Sequence, residues 1–196
     1  MSDLRRMSEV QLSHELFDVR FHGRAGQGVV TASRLLGEAA ILEGKWIHAF
    51  PNFGPERMGA PVSSFTRISP TKFSIKTQVY HPDLIVIIDP SLVPDPVYYV
   101  GLKPDGIVIL NTTSVPDHIL ELLQGKKLWT VDGDTISRKY LGRTIANTVM
   151  LGALIRVTGI VSLEYLTEVM LKKFPGDVGM KNKQAIEAAF EEVKQL

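Results

Sequence analysis

A glycine-rich turn is the feature of this sequence best suited to bind a ligand. It follows a short segment of alternating apolar residues and precedes a helical pattern. Such a turn exposes backbone N–H groups at the positive end of a helix dipole, where an anion, most often a phosphate, binds. The same glycines could also serve only to let the helix pack closely against the strand. The candidate binding residues are Gly23, Arg24, Gly26, Gln27 and Gly28.

Residue spacing separates this turn from two common nucleotide-binding motifs. Gly23 and Gly28 match the glycines of a P-loop, but Val29 and Val30 stand where Lys and Ser or Thr are needed. The order G-x-x-G-x-G also differs from the dinucleotide motif G-x-G-x-x-G, and the next predicted strand ends without the required acid. The pattern thus argues against P-loop hydrolysis of ATP or GTP and disfavours an NAD-dependent dehydrogenase. A phosphate of another carrier and a contact with a partner subunit both stay open.

A proline-rich loop over residues 50–61 is the second candidate. Three prolines and two glycines within residues 51–61 exclude regular structure there. The loop is long and apolar, so we expect it to lie in a protein interface, with Arg57 as an anchor. The alternative is that the Glu56-Arg57 pair is only a surface ion pair, which would add little stability. The candidate interface residues are Phe53, Glu56, Arg57 and Met58.

The sequence offers no catalytic constellation. Its five histidines lack metal-ligand spacing and no serine lies in a nucleophile elbow, so we assign neither a catalytic residue nor a metal site. The absence of cysteine excludes thiolate-held iron–sulfur clusters, thiol catalysis, zinc fingers and disulfides within this chain. A redox centre that needs cysteine must therefore sit on another polypeptide.

Charge and hydropathy narrow the set of partners. The net charge is +1, which gives no electrostatic reason to expect nucleic acid or an anionic membrane as a partner. No apolar run approaches the roughly 20 residues that span a bilayer. The first residues lack the apolar core of a signal peptide and contain acids that a transit peptide avoids. We therefore expect a cytoplasmic protein.

The elements that position these residues can be predicted from periodicity. Residues 1–16 form a polar arm and residues 17–196 form one domain. Within it, a strand over 17–21, a helix over 29–43 ended by Gly44, and a strand over 46–50 make a βαβ-like unit. Alternating residues then predict an antiparallel hairpin. Its two strands are residues 62–68 and 73–79.

The rest of the chain predicts a three-layer α/β/α sandwich, with a mostly parallel sheet and an inserted antiparallel hairpin. Buried strands are expected over 84–88, 107–110 and 128–131, and helices over 115–123, 145–157, 162–174 and 182–193. Polar residues end the three strands. They are Asp89, Asn111 and Asp132. They should meet the glycine turn at the carboxyl edge of the sheet, where such folds bind ligands, although each also suits a helix cap.

Four segments in this order resemble the gamma subunit of 2-oxoacid:ferredoxin oxidoreductases, the pyruvate synthase group. The resemblance covers residues 17–196. The segments are Phe-His-Gly-Arg-Ala-Gly-Gln-Gly-Val-Val-Thr-Ala-Ser at 21–33, Phe-Gly-Pro-Glu-Arg-Met-Gly-Ala-Pro at 53–61, Pro82-Asp83 before the strand that ends in Asp89, and Ile-Ala-Asn-Thr-Val-Met-Leu-Gly-Ala at 145–153. Many members carry a further glycine where this chain has Ala25 or Ala60, which puts in doubt any contact that needs a bare glycine there.

The resemblance implies a place in a multi-subunit enzyme. That enzyme oxidatively decarboxylates a 2-oxoacid to an acyl-CoA and passes electrons to ferredoxin or another acceptor. Thiamine diphosphate and [4Fe-4S] clusters would lie on alpha, beta and delta-type subunits, while this chain would hold no redox centre. The glycine turn would contact coenzyme A phosphates or the thiamine-bearing subunit, and Glu56-Arg57 would lie in an interface. Two alternatives are a free-standing nucleotide-binding enzyme or sensor, and a purely structural subunit.

Overall fold

A computed structural model describes residues 16–52, 59–75 and 77–196. In this part of the chain, seven strands form one sheet in the order β2-β3-β1-β4-β5-β6-β7. The strands are β1 (Phe17–Arg24), β2 (Trp46–Asn52), β3 (Pro61–Ser69), β4 (Leu84–Ile87), β5 (Ile107–Asn111), β6 (Lys127–Val131) and β7 (Lys194–Gln195). Strands β1, β4, β5 and β6 are mutually parallel, whereas β3 and β7 run antiparallel to their neighbours. The predicted arm over 1–16 falls almost wholly outside the described residues.

Helices cover both faces of the sheet, as the predicted sandwich requires. They are α1 (Val29–Leu42), α2 (Asp117–Leu122), α3 (Gly133–Leu141), α4 (Val149–Thr158), α5 (Leu163–Lys173) and α6 (Asp177–Glu192), with 3-10 turns at Pro90–Leu92 and Pro96–Tyr99. On one face, Val19 and Ile109 pack with Leu154 of α4 in the larger core. On the other, Val108 packs with Ile119 of α2. Because the parallel strands are buried on both faces, their sequences are continuously apolar.

The antiparallel hairpin lies in a different place from the one predicted. β3 lies between β2 and β1, with Phe65 opposite both Phe50 and Arg20, so both of its edges are already paired. The predicted strand over 73–79 is wrong, because the described residues there, 73–75 and 77–79, are irregular. Arg67 holds this segment instead by donating to the carbonyl oxygens of Ile75 at 3.3 Å and Thr77 at 3.2 Å.

Helix ends with local capping signals were predicted well. Gly44, in the left-handed region, ends α1 through hydrogen bonds from its N–H to Ile41 O and from Lys45 N to Ala40 O, both 2.9 Å. Ser162 caps α5 as expected. Helix α3 was not predicted, although Asp132 caps it by accepting from Thr135 N at 2.9 Å. Helix α4 begins four residues later than the apolar pattern indicated. Helix α6 begins five residues earlier than predicted.

Replacing Gly152 with alanine should destabilise the domain by about 3 kcal/mol, because the added methyl group would overlap the Ile186 carbonyl oxygen where α4 packs on α6. Gly37→Ala is the matched control within α1. Its nearest neighbour would be Ile47 Cδ1 at 3.4 Å, an ordinary contact. The control should gain about 0.5–1 kcal/mol from helix propensity. Urea unfolding of both variants checks this, and equal stabilities would contradict it.

Candidate functional site

The glycine turn joins β1 to α1 as the sequence predicted. Gly26 and Gly28 have φ values of 95° and 77°, a region that other residues adopt only with strain. Gly28 is the residue before the first turn of α1, so the free N–H groups of that helix begin beside it. Ala25 N donates to Ala60 O at 2.9 Å, which ties the turn to the residue just before β3. The turn therefore places two glycines without side chains at the N-terminal, positive end of α1.

Arg24 and Gln27, two of the predicted binding residues, form hydrogen bonds that hold the turn in place. Gln27 Oε1 accepts from Arg24 N at 2.7 Å, and its Nε2 donates to Asp89 Oδ2 at 2.5 Å. Arg24 Nε and Nη2 donate to Ser91 Oγ at 3.1 and 2.9 Å, and Nε lies 3.5 Å from Asp89 Oδ2. Burial alone would raise the pKa of Asp89, but hydrogen bonds from Ser91 and Gln27, with the charge of Arg24, lower it overall. Asp89 is thus a carboxylate that anchors the turn.

The other two strand-end residues serve local structure. Asn111 Nδ2 donates to Ile88 O and to Asp134 Oδ1, both at 2.7 Å. Asp132 caps α3. Of the three strand-end residues, Asp89 alone forms a hydrogen bond with the turn within the described part of the chain. The shared sheet edge therefore brings the three close without making them one polar cluster.

A groove of about 490 Å³ opens beside the turn, between α1, the start of α4 and the first turns of α6. Two basic side chains, Arg143 and Lys181, line it together with one acid, Asp177, which pairs with Lys181 at 2.6 Å. The groove therefore combines positive side chains with a helix N-terminus. An anionic ligand suits this combination.

Asn147 completes the groove and was missed as a site residue from the sequence. Its Nδ2 donates to Gly28 O at 3.2 Å across 119 residues of chain. A side chain on Gly28 would overlap this amide, so glycine is needed there for space as well as for backbone geometry. The one available signal was a polar residue at the start of an otherwise apolar helical segment.

A second groove of about 340 Å³ lies on the opposite side of the turn. Ala25 and Val30 line one wall, and Pro51 and Val62 line the other. The predicted interface residues follow Asn52 in the chain. These residues, Phe53, Glu56, Arg57 and Met58, lie outside the described residues.

His22 is a buried histidine next to the turn. Its ring packs edge-on against Tyr98, with 5.2 Å between centroids. Burial, and secondly the charge of Arg20, lower its pKa from 6.5 to about 3. It is therefore neutral in the folded protein. Within residues 16–52, 59–75 and 77–196, no three side chains of His, Cys, Asp or Glu are grouped to hold a metal ion, and no helix is long and apolar enough to cross a bilayer.

The lowered pKa of His22 predicts that the folded domain loses stability in acid. Between pH 6.5 and 3 the unfolded chain takes up a proton at His22 that the folded chain does not. The free energy of unfolding should thus fall as pH falls through this window, and be unaffected by His22 above it. In His22→Gln, the decrease between pH 6 and 5 should be smaller by about 1 kcal/mol. Urea unfolding at several pH values measures this, and identical slopes for both proteins would refute it.

Comparisons with known proteins identify the family and agree with the fold. The family described as pyruvate ferredoxin/flavodoxin oxidoreductase matches residues 18–192. The common gamma subunit of the pyruvate/ketoisovalerate oxidoreductases of Pyrococcus furiosus is 48% identical, covering 91% of this chain and 98% of the relative. The crystal structure of pyruvate oxidoreductase subunit PORC from Thermotoga maritima superposes with a TM-score of 0.83 at 41% identity, covering 93% of this chain and 99% of that one.

A larger enzyme contains the same fold. The 2-oxoglutarate:ferredoxin oxidoreductase of Magnetococcus marinus was solved with 2-oxoglutarate, coenzyme A and succinyl-CoA bound. The match covers 90% of this chain and 30% of the Magnetococcus chain, with a TM-score of 0.76. Because the two sequences are only 20% identical, this match shows the fold alone. The family match and the 48% and 41% identities carry the assignment. This chain belongs to the pyruvate ferredoxin/flavodoxin oxidoreductase family, and within it to the gamma subunits, as its four sequence segments predicted.

Proposed function

We propose that this chain binds the phosphates of coenzyme A in the groove beside its glycine turn, within a complex that oxidises a 2-oxoacid to an acyl-CoA. The observation that carries this proposal is the arrangement of Arg143, Lys181 and the N-terminus of α1 around one groove. Gly26 and Gly28 have no side chain to obstruct a ligand that approaches the backbone N–H groups. Coenzyme A supplies the anionic groups that such an arrangement attracts.

The names of the relatives support the reaction class. The Pyrococcus subunit is shared by pyruvate and ketoisovalerate oxidoreductases, and the Magnetococcus enzyme contains coenzyme A and succinyl-CoA. The Pyrococcus name indicates that one gamma subunit serves enzymes for more than one 2-oxoacid. We therefore place the choice of 2-oxoacid on other subunits. Electrons would pass to ferredoxin or a similar acceptor through those subunits.

The redox cofactors do not fit this chain. It contains no cysteine, so none of its residues can be a thiolate ligand of a [4Fe-4S] cluster. It also lacks the acidic thiamine-binding motif. We place thiamine diphosphate and the clusters on alpha, beta and delta-type partners. The loop 53–58, which follows Asn52 in the chain, is our proposed contact with them.

Charge-removing substitutions in the groove test the coenzyme A site. In the purified complex, Arg143→Gln and Lys181→Gln should each raise the Kd for coenzyme A by about 10- to 100-fold, because each removes a charge-assisted contact with phosphate. Lys183→Gln is the matched control on α6, since Lys183 faces Glu187 at 3.8 Å and does not line the groove. Calorimetric titration gives the Kd. An unchanged Kd in both groove variants would overturn the proposal.

A second measurement addresses the free-standing alternative. If the chain acted alone as a nucleotide-binding enzyme or sensor, the isolated chain would bind NAD or ATP tightly. We expect it to copurify with partner subunits and to bind neither nucleotide tightly. Tight binding of NAD or ATP by the isolated chain would favour the alternative.

A further inference from the structure

Arg20 is a partly buried cation without an acid as a partner among the described residues. Its Nη2 donates to the carbonyl oxygens of Tyr98 at 3.1 Å and Val100 at 2.7 Å. Burial lowers the pKa of the guanidinium from 12.5 to about 10, and no carboxylate of these residues offsets the effect. Its Nε is buried, whereas Nη1 is neither buried nor bonded within the described part of the chain. Nη1 is therefore free to donate to a carboxylate of another protein.

The carbonyl groups that hold Arg20 belong to a short segment with exposed apolar side chains. Val97 and Val100, in the second 3-10 turn and directly after it, are 58% and 67% exposed. Tyr80 is 66% exposed, and its carbonyl oxygen lies against Gly101, the residue after Val100. Apolar side chains around a partly buried arginine are typical of the energetically important centre of a protein interface.

A groove of about 220 Å³ continues this surface between the second 3-10 turn and α2. Val100 lines it from the turn, and the exposed Leu122 lines it from α2. Lys126 also lines the groove, and its Nζ donates to the carbonyl oxygens of Lys103 at 3.0 Å and Pro104 at 2.8 Å. No acid of the described residues forms an ion pair with this ammonium group. A second cation without an acid as a partner therefore borders the same apolar surface.

This surface lies away from the proposed coenzyme A site. Lys126 directly precedes β6, and Lys103 N donates to Pro82 O, two residues before β4 begins. The groove beside α2 therefore lies near the amino ends of the parallel strands. The glycine turn, in contrast, follows the carboxyl end of β1. A substitution in one place should thus leave the other intact.

We propose that this surface, which we call the docking patch, binds a partner subunit of the oxidoreductase complex. The partner presents an apolar side chain, which enters the groove between Val100 and Leu122, and a carboxylate, which accepts from Nη1 of Arg20. This inference rests on the complex of the proposed function but not on its coenzyme A site. The docking patch comprises Arg20, Tyr80, Val97, Val100, Leu122 and Lys126.

The charges of the docking patch favour an acidic partner over a second copy of this chain. A two-fold dimer sets the same surface of each copy against the other, so it would bring the unpaired cations of both copies together. Asp95, at the start of the second 3-10 turn, accepts from Val97 N at 3.0 Å and forms no ion pair with either cation. A partner with carboxylates satisfies the cations and buries the apolar side chains in one contact.

Val100→Glu tests the docking patch in the co-expressed complex. The new carboxylate lies next to Arg20 and repels the acids of the partner, so the fraction of this chain that copurifies with its partner subunits should fall about tenfold or more. Ile41→Glu is the matched control, because Ile41 is also exposed but lies on α1, which covers the opposite face of the sheet. It should copurify as the wild type does. Wild-type copurification of Val100→Glu, or an equal loss in both variants, would overturn the proposal.

Hydroxyl-radical footprinting of the wild type gives a measurement that does not depend on how a variant folds. Tyr80 should be labelled at least about threefold less in the complex than in the isolated full chain, because an interface excludes solvent from its side chain. Equal labelling would count against the docking patch. A dimer of the isolated chain that Val100→Glu dissociates would identify a second copy as the occupant and would also overturn the proposal. The coenzyme A site fails or holds separately, since Arg143→Gln should change coenzyme A affinity and not copurification.

Discussion

Replacing Gly28 with alanine should weaken coenzyme A binding by about tenfold or more and lower the free energy of unfolding by about 2–4 kcal/mol. Two effects add. The residue has a φ of 77°, so any side chain strains the backbone, and a Cβ atom would also overlap the Asn147 amide. Displacing Asn147 breaks its hydrogen bond to Gly28 O and moves one wall of the groove. Calorimetric titration and urea unfolding measure the two effects.

Gly44→Ala is the matched control for this variant. Gly44 has a similar φ of 81° but open space around its Cβ position, and it lies at the other end of α1. Alanine there should cost about 1–2 kcal/mol of stability through backbone strain and leave coenzyme A binding unchanged. Equal losses of affinity in both variants would show that a general loosening of α1, and not the groove, causes the effect.

Replacing Arg67 with methionine should destabilise the domain by about 3–5 kcal/mol. Arg67 and Asp18 form a two-pronged ion pair, with Nε to Oδ1 at 2.7 Å and Nη2 to Oδ2 at 3.2 Å, and both residues are buried. Removing the guanidinium leaves the Asp18 carboxylate buried without its cation. It also removes the donor to the irregular segment around Ile75 and Thr77. Thermal and urea unfolding measure the loss.

Two comparisons locate the cause of that loss. The double variant Arg67→Met with Asp18→Asn should be more stable than Arg67→Met alone, because no unpaired charge is then buried. Lys172→Met breaks the exposed pair with Glu168 and should cost less than about 1 kcal/mol. A loss in Lys172→Met as large as that in Arg67→Met would contradict our account of the buried pair.

Local signals predicted the elements well wherever a pattern and a cap coincided. The alternation at 17–21 became β1, Gly44 ended α1 and Ser162 began α5. These signals depend on neighbouring residues alone, so no knowledge of the tertiary fold is needed to recognise them. Residues 73–79 show the limit of this reasoning. They alternate like a strand, but β3 had no free edge to pair with.

The features of the candidate site also divide into those that neighbouring residues predict and those that depend on distant segments. The position of the glycine turn and its place before a helix were predicted, since both depend on adjacent residues. The contacts by which Arg24 and Gln27 hold the turn were not predicted, because their partners Ser91 and Asp89 lie more than 60 residues away along the chain. Asn147 was missed for the same reason, as it reaches Gly28 from 119 residues away.

By itself, the sequence determined that this chain holds no thiolate-bound cluster, since it has no cysteine, and that a glycine-rich turn precedes α1. Its four ordered segments also identified the family. Only the tertiary structure decided which strands pair and which side chains surround the turn. The physical reason is that periodicity and caps are properties of neighbouring residues, whereas a groove forms between distant segments. Arg143, Asn147 and Lys181 line one groove only because the chain packs α6 against α4 and brings the segment before α4 to the turn.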